Sequence, residues 1–230
     1  KGLRCFGPSK AAAQLEASKV YTKDFLTRHH IPTANYQVFT ETKPAIDYIK
    51  TLGTPLVVKA DGLAAGKGVV IAQSEKEAIT AVNDMLKQHA FGDAGKRIVI
   101  EEFMSGEEAS FIIITDGEHS LPFASSQDHK ARDDGDHGPN TGGMGAYSPA
   151  PVVTAELHER IMTEVINPTV KGMKIDGNDY VGFLYAGIMI TADGTVKIID
   201  FGAVSIAGVS KAMPLLDVEG LQGALQYAAP

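Results

Sequence analysis

The stretch Val57-Val58-Lys59-Ala60-Asp61-Gly62-Leu63-Ala64-Ala65-Gly66-Lys67-Gly68-Val69 constrains this chain more than any other. An apolar run delivers Lys59, and a small-residue loop then turns on Gly62, Gly66 and Gly68 with Lys67 inside it. Glycine tolerates positive φ and lets backbone N–H groups come close to a ligand. Successive amides in such a turn form an anion nest, and two ammonium groups add charge suited to a polyphosphate. This is not a Walker A loop: three residues, not four, separate Gly62 from Gly66, and Gly68 follows Lys67 where that motif has Ser or Thr. Nor is it G-x-G-x-x-G. The next run, Gly68 to Ala72, predicts a hairpin whose tip covers phosphates, and a glycine-rich surface hairpin with solvated lysines is the competing reading.

With 230 residues, 44% of them hydrophobic, the chain can build one large domain or two small ones. A net charge of −7 provides no global basic field for nucleic acid or a membrane surface. The single cysteine, Cys5, permits no internal disulfide and fits a reducing compartment. No apolar run approaches the ~20 residues of a membrane span. Lys1 to Pro8 lack a signal peptide's apolar core and an initiator Met, which suggests a chain cut from a longer one. Cytoplasmic localisation is expected.

Helical spacing of Ala13, Leu15, Val20, Phe25 and Leu26 predicts a helix from Ser9 to about His29, ended by Ile31-Pro32. A short helix is expected over 44–52. Strands over 56–59 and 69–72 flank the glycine loop. Ser74 with Glu77 three residues on makes a capping box for the next helix. Strands are expected over 98–103, 109–115 and 121–126. Gln127 to Pro151 reads as a long polar, glycine-rich loop, and loops of that length are often functional. A helix from Thr154 to about Lys174 is expected to kink at Pro168. Phe183 to Ile190 and Thr195 to Phe201 form a closing strand pair. The order is α+β and rich in antiparallel hairpins. It suggests a small lobe over 37–108 and a second sheet from 109 onward, with a nucleotide between them.

Several residues can carry chemistry. Glu101 and Glu102 end a strand, where backbone can read a purine edge and a carboxylate can accept from an amino group or ribose hydroxyls; solvated acids are the alternative. Glu107 and Glu108 follow the turn. His129, in Gln127-Asp128-His129-Lys130, is a possible general base or an inert loop histidine. Gly138-Pro139-Asn140-Thr141-Gly142-Gly143-Met144-Gly145-Ala146-Tyr147 can hold a phosphate or carboxylate on its amides, or pack on itself as an Ω-loop. Asp200, at a strand end, suits Mg²⁺, which takes one or two protein carboxylates when it bridges phosphates. A turn or cap role is the alternative.

Phe6-Gly7-Pro8, Gln14 through Lys19, Lys59 through Val69, Ile100 through Ser110, Gln127 through Lys130, Gly138 through Pro149 and Leu184-Tyr185-Ala186-Gly187 together resemble the phosphoribosylamine–glycine ligase family over about residues 1–201. The resemblance implies an ATP-grasp fold: residues 1–36 would end an N-terminal domain and its linker helix, 37–108 would be the small lobe, and 109–230 a large lobe that diverges after about 201. It implies ATP with Mg²⁺ or Mn²⁺, the substrates glycine and phosphoribosylamine, and formation of glycinamide ribonucleotide through a glycyl phosphate. Lys19 and Lys59 would contact ATP phosphates, and the loop carrying Gly62, Gly66, Lys67 and Gly68 would close over them. Glu101, Glu102 and Phe103 would hold adenine, with Glu108 near the ribose. Asp128, Asn140, Thr141, Gly142, Gly143 and Gly145 would face glycine and the phosphosugar, Lys59, Asp128 and Asn140 being the catalytic candidates. Asp200 would bind metal.

The family's pattern breaks near the end. There the last strand continues Glu-Phe-Asn-x-Arg-x-Gly-Asp-Pro-Glu, whose Glu and Asn bind metal and whose Arg holds substrate. Here Asp200 stands for the Glu, Gly202 for the Asn, and the Arg-containing run is absent. Two other readings therefore stand beside the ligase: an ATP-binding remnant without turnover, and an ATP-grasp ligase for another carboxylate.

Overall fold

A computed structural model describes residues 6–62, 68–88, 92–135 and 137–203. The chain divides into two compact units, Gln14–Ser105 and Lys1–Ala13 with Gly106–Pro230.

In the first unit, β1 (Tyr36–Phe39), β2 (Leu56–Ala60), β3 (Val69–Ala72) and β4 (Ile98–Glu102) form an antiparallel sheet in the order β1-β4-β2-β3. Side chains alternate across it. Leu56, Val58, Ala60, Ala72, Ile98 and Ile100 face one way and share a core with α3 (Thr42–Leu52) and α4 (Glu75–Leu86), through Ala45, Ile49, Ala78, Val82 and Met85. Lys59 pairs across from both Val69 and Val99, and Val57 across from Ile71 and Glu101, so these residues share the opposite face. Ser74 caps α4 as expected: its Oγ accepts the Glu77 N–H, and Glu77 Oε2 accepts the Gln73 N–H. Strand β1 is an element that sequence reasoning does not find.

The predicted helix over 9–29 is two helices, α1 (Gln14–Ala17) and α2 (Lys19–Arg28). Ser18 takes an extended conformation between them, φ −134° and ψ 113°, and its Oγ accepts the Tyr21 N–H. The break has a tertiary cause. Asp61 Oδ1 accepts the Ser18 hydroxyl and the Val20 N–H, each at 2.8 Å, and so restarts the helix on its own carboxylate.

In the second unit, β5 (Gly106–Thr115), β6 (Ser120–Pro122), β9 (Gly182–Thr191) and β10 (Val196–Ala203) form an antiparallel sheet in the order β10-β9-β5-β6. Ala109, Phe111, Ile113, Leu184, Ala186, Ile188, Val196, Ile198 and Phe201 are buried. So are Ile161, Val165, Ile166, Val170 and Met173 of the helical layer. Gly106 lies so close to β9 that an added Cβ would strike the Ile190 carbonyl. The strand expected over 121–126 is shorter: β6 stops at Pro122, and Ser126 makes one bridge to Ser110.

One further expectation needs correction. Residues 127–151 are not a loop: β7 (Gln127–Asp133) and β8 (His137–Tyr147) pair as an antiparallel hairpin. Polar residues and glycines hide the strands because this ribbon has no fully buried apolar face among its described residues, while register shifts at 129–133 and positive φ at Gly138 (87°) and Gly143 (127°) fit them to the ladder. The helix over 154–174 is interrupted just before Pro168: a π-helical turn, Met162–Ile166, joins α5 (Ala155–Ile161) to α6 (Asn167–Ile175).

The β9–β10 turn hangs on Asp193, whose carboxylate accepts from the Thr191 hydroxyl and the Thr195 N–H; these bonds lower its pKa from 3.8 to about 2. A depressed folded pKa stabilises above the unfolded value and is lost as pH falls through the folded one. The turn's support is therefore complete above about pH 4 and disappears towards pH 2. Carboxyl NMR titration should show that midpoint, and Asp193→Asn should remove this part of the acid limb of unfolding.

Candidate functional site

In the first unit the site is built on the sheet face opposite the α3/α4 core. Lys59 and Glu101 come from adjacent strands, and α2 adds Lys23. All three are buried: Lys59 is 6% exposed, Glu101 1% and Lys23 3%. Both ammonium groups converge on one carboxylate oxygen, Lys59 Nζ at 3.0 Å and Lys23 Nζ at 3.1 Å from Glu101 Oε2. Lys23 Nζ also donates to Thr33 Oγ1 at 2.7 Å and lies 5.6 Å from the centre of the Tyr36 ring. The other oxygen, Glu101 Oε1, is buried and has no hydrogen-bond partner among the described residues. An unsatisfied buried acceptor is costly, so Oε1 marks a place for a donor. Val69 and Ile71, each 42% exposed, extend an apolar surface on the same face.

The root of the glycine loop is held by a set of hydrogen bonds centred on Asp61. Arg97 binds Asp61 Oδ2 through Nε at 2.9 Å and Nη2 at 2.5 Å, opposite the Ser18 and Val20 bonds to Oδ1. The Asp61 N–H donates to the carbonyls of Ala94 and Arg97, and its own carbonyl accepts the Lys19 N–H at 3.0 Å. Lys19, expected at a phosphate, is thus positioned by its backbone at the start of α2. Gly62 packs against Ala94: its N–H donates to the Ala94 carbonyl, and a Cβ at 62 would lie 2.8 Å from the Ala94 Cβ. Gly68 accepts the Ala60 N–H at 2.7 Å. Gly66 and Lys67 lie outside the described residues. The Glu102 carboxylate grips the Asn35 backbone and side-chain N–H groups at 3.1 and 2.9 Å, and Phe103 is exposed.

The second unit gathers a polar cluster on the sheet face away from its helices. Glu108 and Ser110 of β5 share that face with Tyr185 and Gly187 of β9. Asp200 joins them through a β-bulge. Ile198 pairs with Ile188 but Asp200 pairs with Gly187, so one extra residue reverses the alternation. Without it Asp200 would follow Ile198 into the core. Lys130 Nζ lies 3.6 Å from Glu108 Oε2 and 3.8 Å from Asp128 Oδ2. Burial opposes the Lys130 charge, yet Glu108, Tyr185 and Asp128 outweigh it and hold its pKa above the usual lysine value. Burial also pushes the Tyr185 phenol up. The expected substrate loop is placed by its backbone. Asn140 pairs with Ala131 and Gly145 with His129, while the Thr141 hydroxyl donates to the Lys130 carbonyl and accepts the Gly143 N–H. His129 packs on Tyr147 with ring centres 5.4 Å apart. Gly142 lies in β8. Among the described residues no group of three or more His, Cys, Asp or Glu could hold a metal ion, and no helix is long and apolar enough to cross a membrane.

Sequence reasoning missed Lys23, Arg97, Lys130 and Tyr185 as site residues. Lys23 left a signal: it is a charge on the buried stripe of α2, between Thr22 and Phe25.

These two antiparallel units define the ATP-grasp class. A biotin carboxylase–βγ-ATP complex from Campylobacter jejuni shares the fold at 19% identity, with a TM-score of 0.67 over 97% of this chain and 49% of that one. Within the class, the chain belongs to the family of the phosphoribosylglycinamide synthetase ATP-grasp (A) domain, which matches residues 17–205. It is 65% identical over 200 residues to a phosphoribosylamine–glycine ligase of Yersinia pestis, a match covering 87% of this chain and 47% of that protein. The crystal structure of a phosphoribosylamine–glycine ligase from Thermotoga maritima superposes with a TM-score of 0.77 at 36% identity, over 86% of this chain and 50% of that one. The chain therefore spans about half the length of the relatives it matches.

Proposed function

We propose that this chain carries the ATP-binding and acyl-phosphate-forming part of a ligase that joins glycine to 5-phosphoribosylamine. The observation that carries the reading is the buried Lys59–Glu101 pair at the root of the glycine loop, in a chain of this family. Lys59 meets the nucleotide's phosphates, and the 62–68 loop covers them. The purine lies on the apolar face beside Val69 and Ile71, and its exocyclic amine donates to the orphaned Glu101 Oε1. Glu102 and Phe103 hold the ring edge through backbone, and Lys19 adds charge. The γ-phosphoryl passes to the glycine carboxylate, giving glycyl phosphate and ADP. The phosphoribosylamine amine then attacks the carbonyl carbon, phosphate leaves, and the amine loses its proton. Phosphoryl transfer is mainly positioning and charge neutralisation. Lys130, held charged by its carboxylates, serves the anionic acyl phosphate, while Asp128 and the 140–145 strand orient glycine and the sugar phosphate. Asp200 offers a hard oxygen on the same face and fits a divalent cation that takes one protein carboxylate and completes its shell with phosphate and water. Such a cation, Mg²⁺ or Mn²⁺, would offset phosphate charge. The setting is the cytoplasm.

A second reading, nucleotide binding without turnover, is favoured by Gly202, which offers no donor beside Asp200. ADP release dependent on both glycine and phosphoribosylamine, followed in a coupled assay, is the expected result. Nucleotide binding with no ADP formed under either substrate would select the second reading.

A further inference from the structure

We infer that Lys23 is a positioning residue that keeps Lys59 available to the nucleotide by holding the charge of Glu101. The inference rests on the proposed role of Lys59. A buried carboxylate facing one ammonium makes a neutral pair, and drawing that ammonium toward another anion leaves a buried charge uncompensated, which opposes the movement. Here the carboxylate has two ammonium groups on one oxygen, at 3.0 and 3.1 Å, so the three side chains carry a net single positive charge.

The two lysines differ in what else fixes them. Lys23 is 3% exposed, anchored inside α2, bonded to Thr33 Oγ1 at 2.7 Å and seated 5.6 Å from the Tyr36 ring centre. Lys59 stands near the end of β2, one residue before Ala60, whose N–H bonds Gly68 across the mouth of the glycine loop. When a phosphate draws Lys59 away, Glu101 keeps Lys23 as its partner. Lys23 therefore lowers the cost of moving Lys59 without touching the nucleotide, and its effect passes entirely through the Glu101 charge.

The test is a double-mutant cycle on the chain, read by calorimetric titration with adenylyl imidodiphosphate and magnesium, with Lys59→Met as control. Lys23→Met should weaken binding about tenfold, the scale of 1.4 kcal/mol, because Lys59 is then the sole partner of Glu101 among the described residues. Once Glu101→Gln removes the charge, Lys23 should no longer matter, and the Lys23→Met/Glu101→Gln double variant should bind within about threefold of Glu101→Gln alone. That comparison holds even if Lys23→Met alone does not fold. A double variant ten times weaker than Glu101→Gln would overturn the inference, since Lys23 would then act directly or through packing. Unaltered binding by Lys23→Met beside a weak Lys59→Met would overturn it too, leaving the nucleotide site intact. A Lys59→Met variant that binds like the parent would instead overturn the site reading itself.

Discussion

Lys59→Met should lower the affinity for ATP about a hundredfold, roughly 2.7 kcal/mol, while barely moving the melting temperature. The two halves of this expectation come from the same geometry. A charge-assisted bond to a phosphate contributes about 1.5–3 kcal/mol in a buried setting. Removing the ammonium leaves Glu101 paired with Lys23 at 3.1 Å, so no carboxylate is stranded. Methionine fills much of the space of the lysine stem against Val69 and Val99, the residues opposite it on either side. Titration calorimetry beside a thermal melt checks both. Loss of binding together with a large loss of stability would mean that Lys59 is a structural ion-pair member rather than a nucleotide contact.

Asp61→Ala should destabilise the first unit by about 2–3 kcal/mol, the scale of losing a helix cap and a charged acceptor, because the Asp61 carboxylate is buried while the Arg97 guanidinium beside it is half exposed. Asp61 is 7% exposed, and its carboxylate accepts from Ser18, from the Val20 N–H and twice from Arg97. Alanine would leave the Val20 N–H without its acceptor and release the start of α2 from the root of the glycine loop. A fall of about four to twelve degrees in melting temperature is expected, at about 2–4 °C per kcal/mol for a chain of this size. Asp61→Asn should lie between, because an amide oxygen can still cap Ser18 and Val20 while its NH₂ opposes Arg97. Equal stability of Asp61→Ala and the parent in differential scanning calorimetry would contradict the hub assigned to this residue.

Local patterns in the sequence announced the strands on either side of the glycine loop, the Ser74 capping box and the last strand pair, since each is set by alternation or by a short-range bond. What stayed hidden depends on partners distant in sequence. Ser18 breaks a helical pattern only because Asp61, 43 residues away, offers it an acceptor. The hairpin over 127–147 lacks the buried apolar face that makes strands readable. Asp200 is legible as a carboxylate at a strand end, but not the bulge that turns it out of the core, since buried positions 196, 198 and 201 depart from a strict period of two. The role of Lys23 emerges only when α2 and β4 are brought together. The motifs Lys59–Val69 and Ile100–Ser110 nonetheless carried the family, and their Lys59 and Glu101 meet on one face of the adjacent strands β2 and β4.

A crystal structure of this chain with adenylyl imidodiphosphate and magnesium tests the central claim most directly. A triphosphate oxygen should lie within hydrogen-bonding distance, about 3 Å, of Lys59 Nζ, with the purine against Val69 and Ile71 and its amine on Glu101 Oε1. A nucleotide bound elsewhere, or one bound while Lys59 still rests on Glu101 with no phosphate in reach, would contradict it.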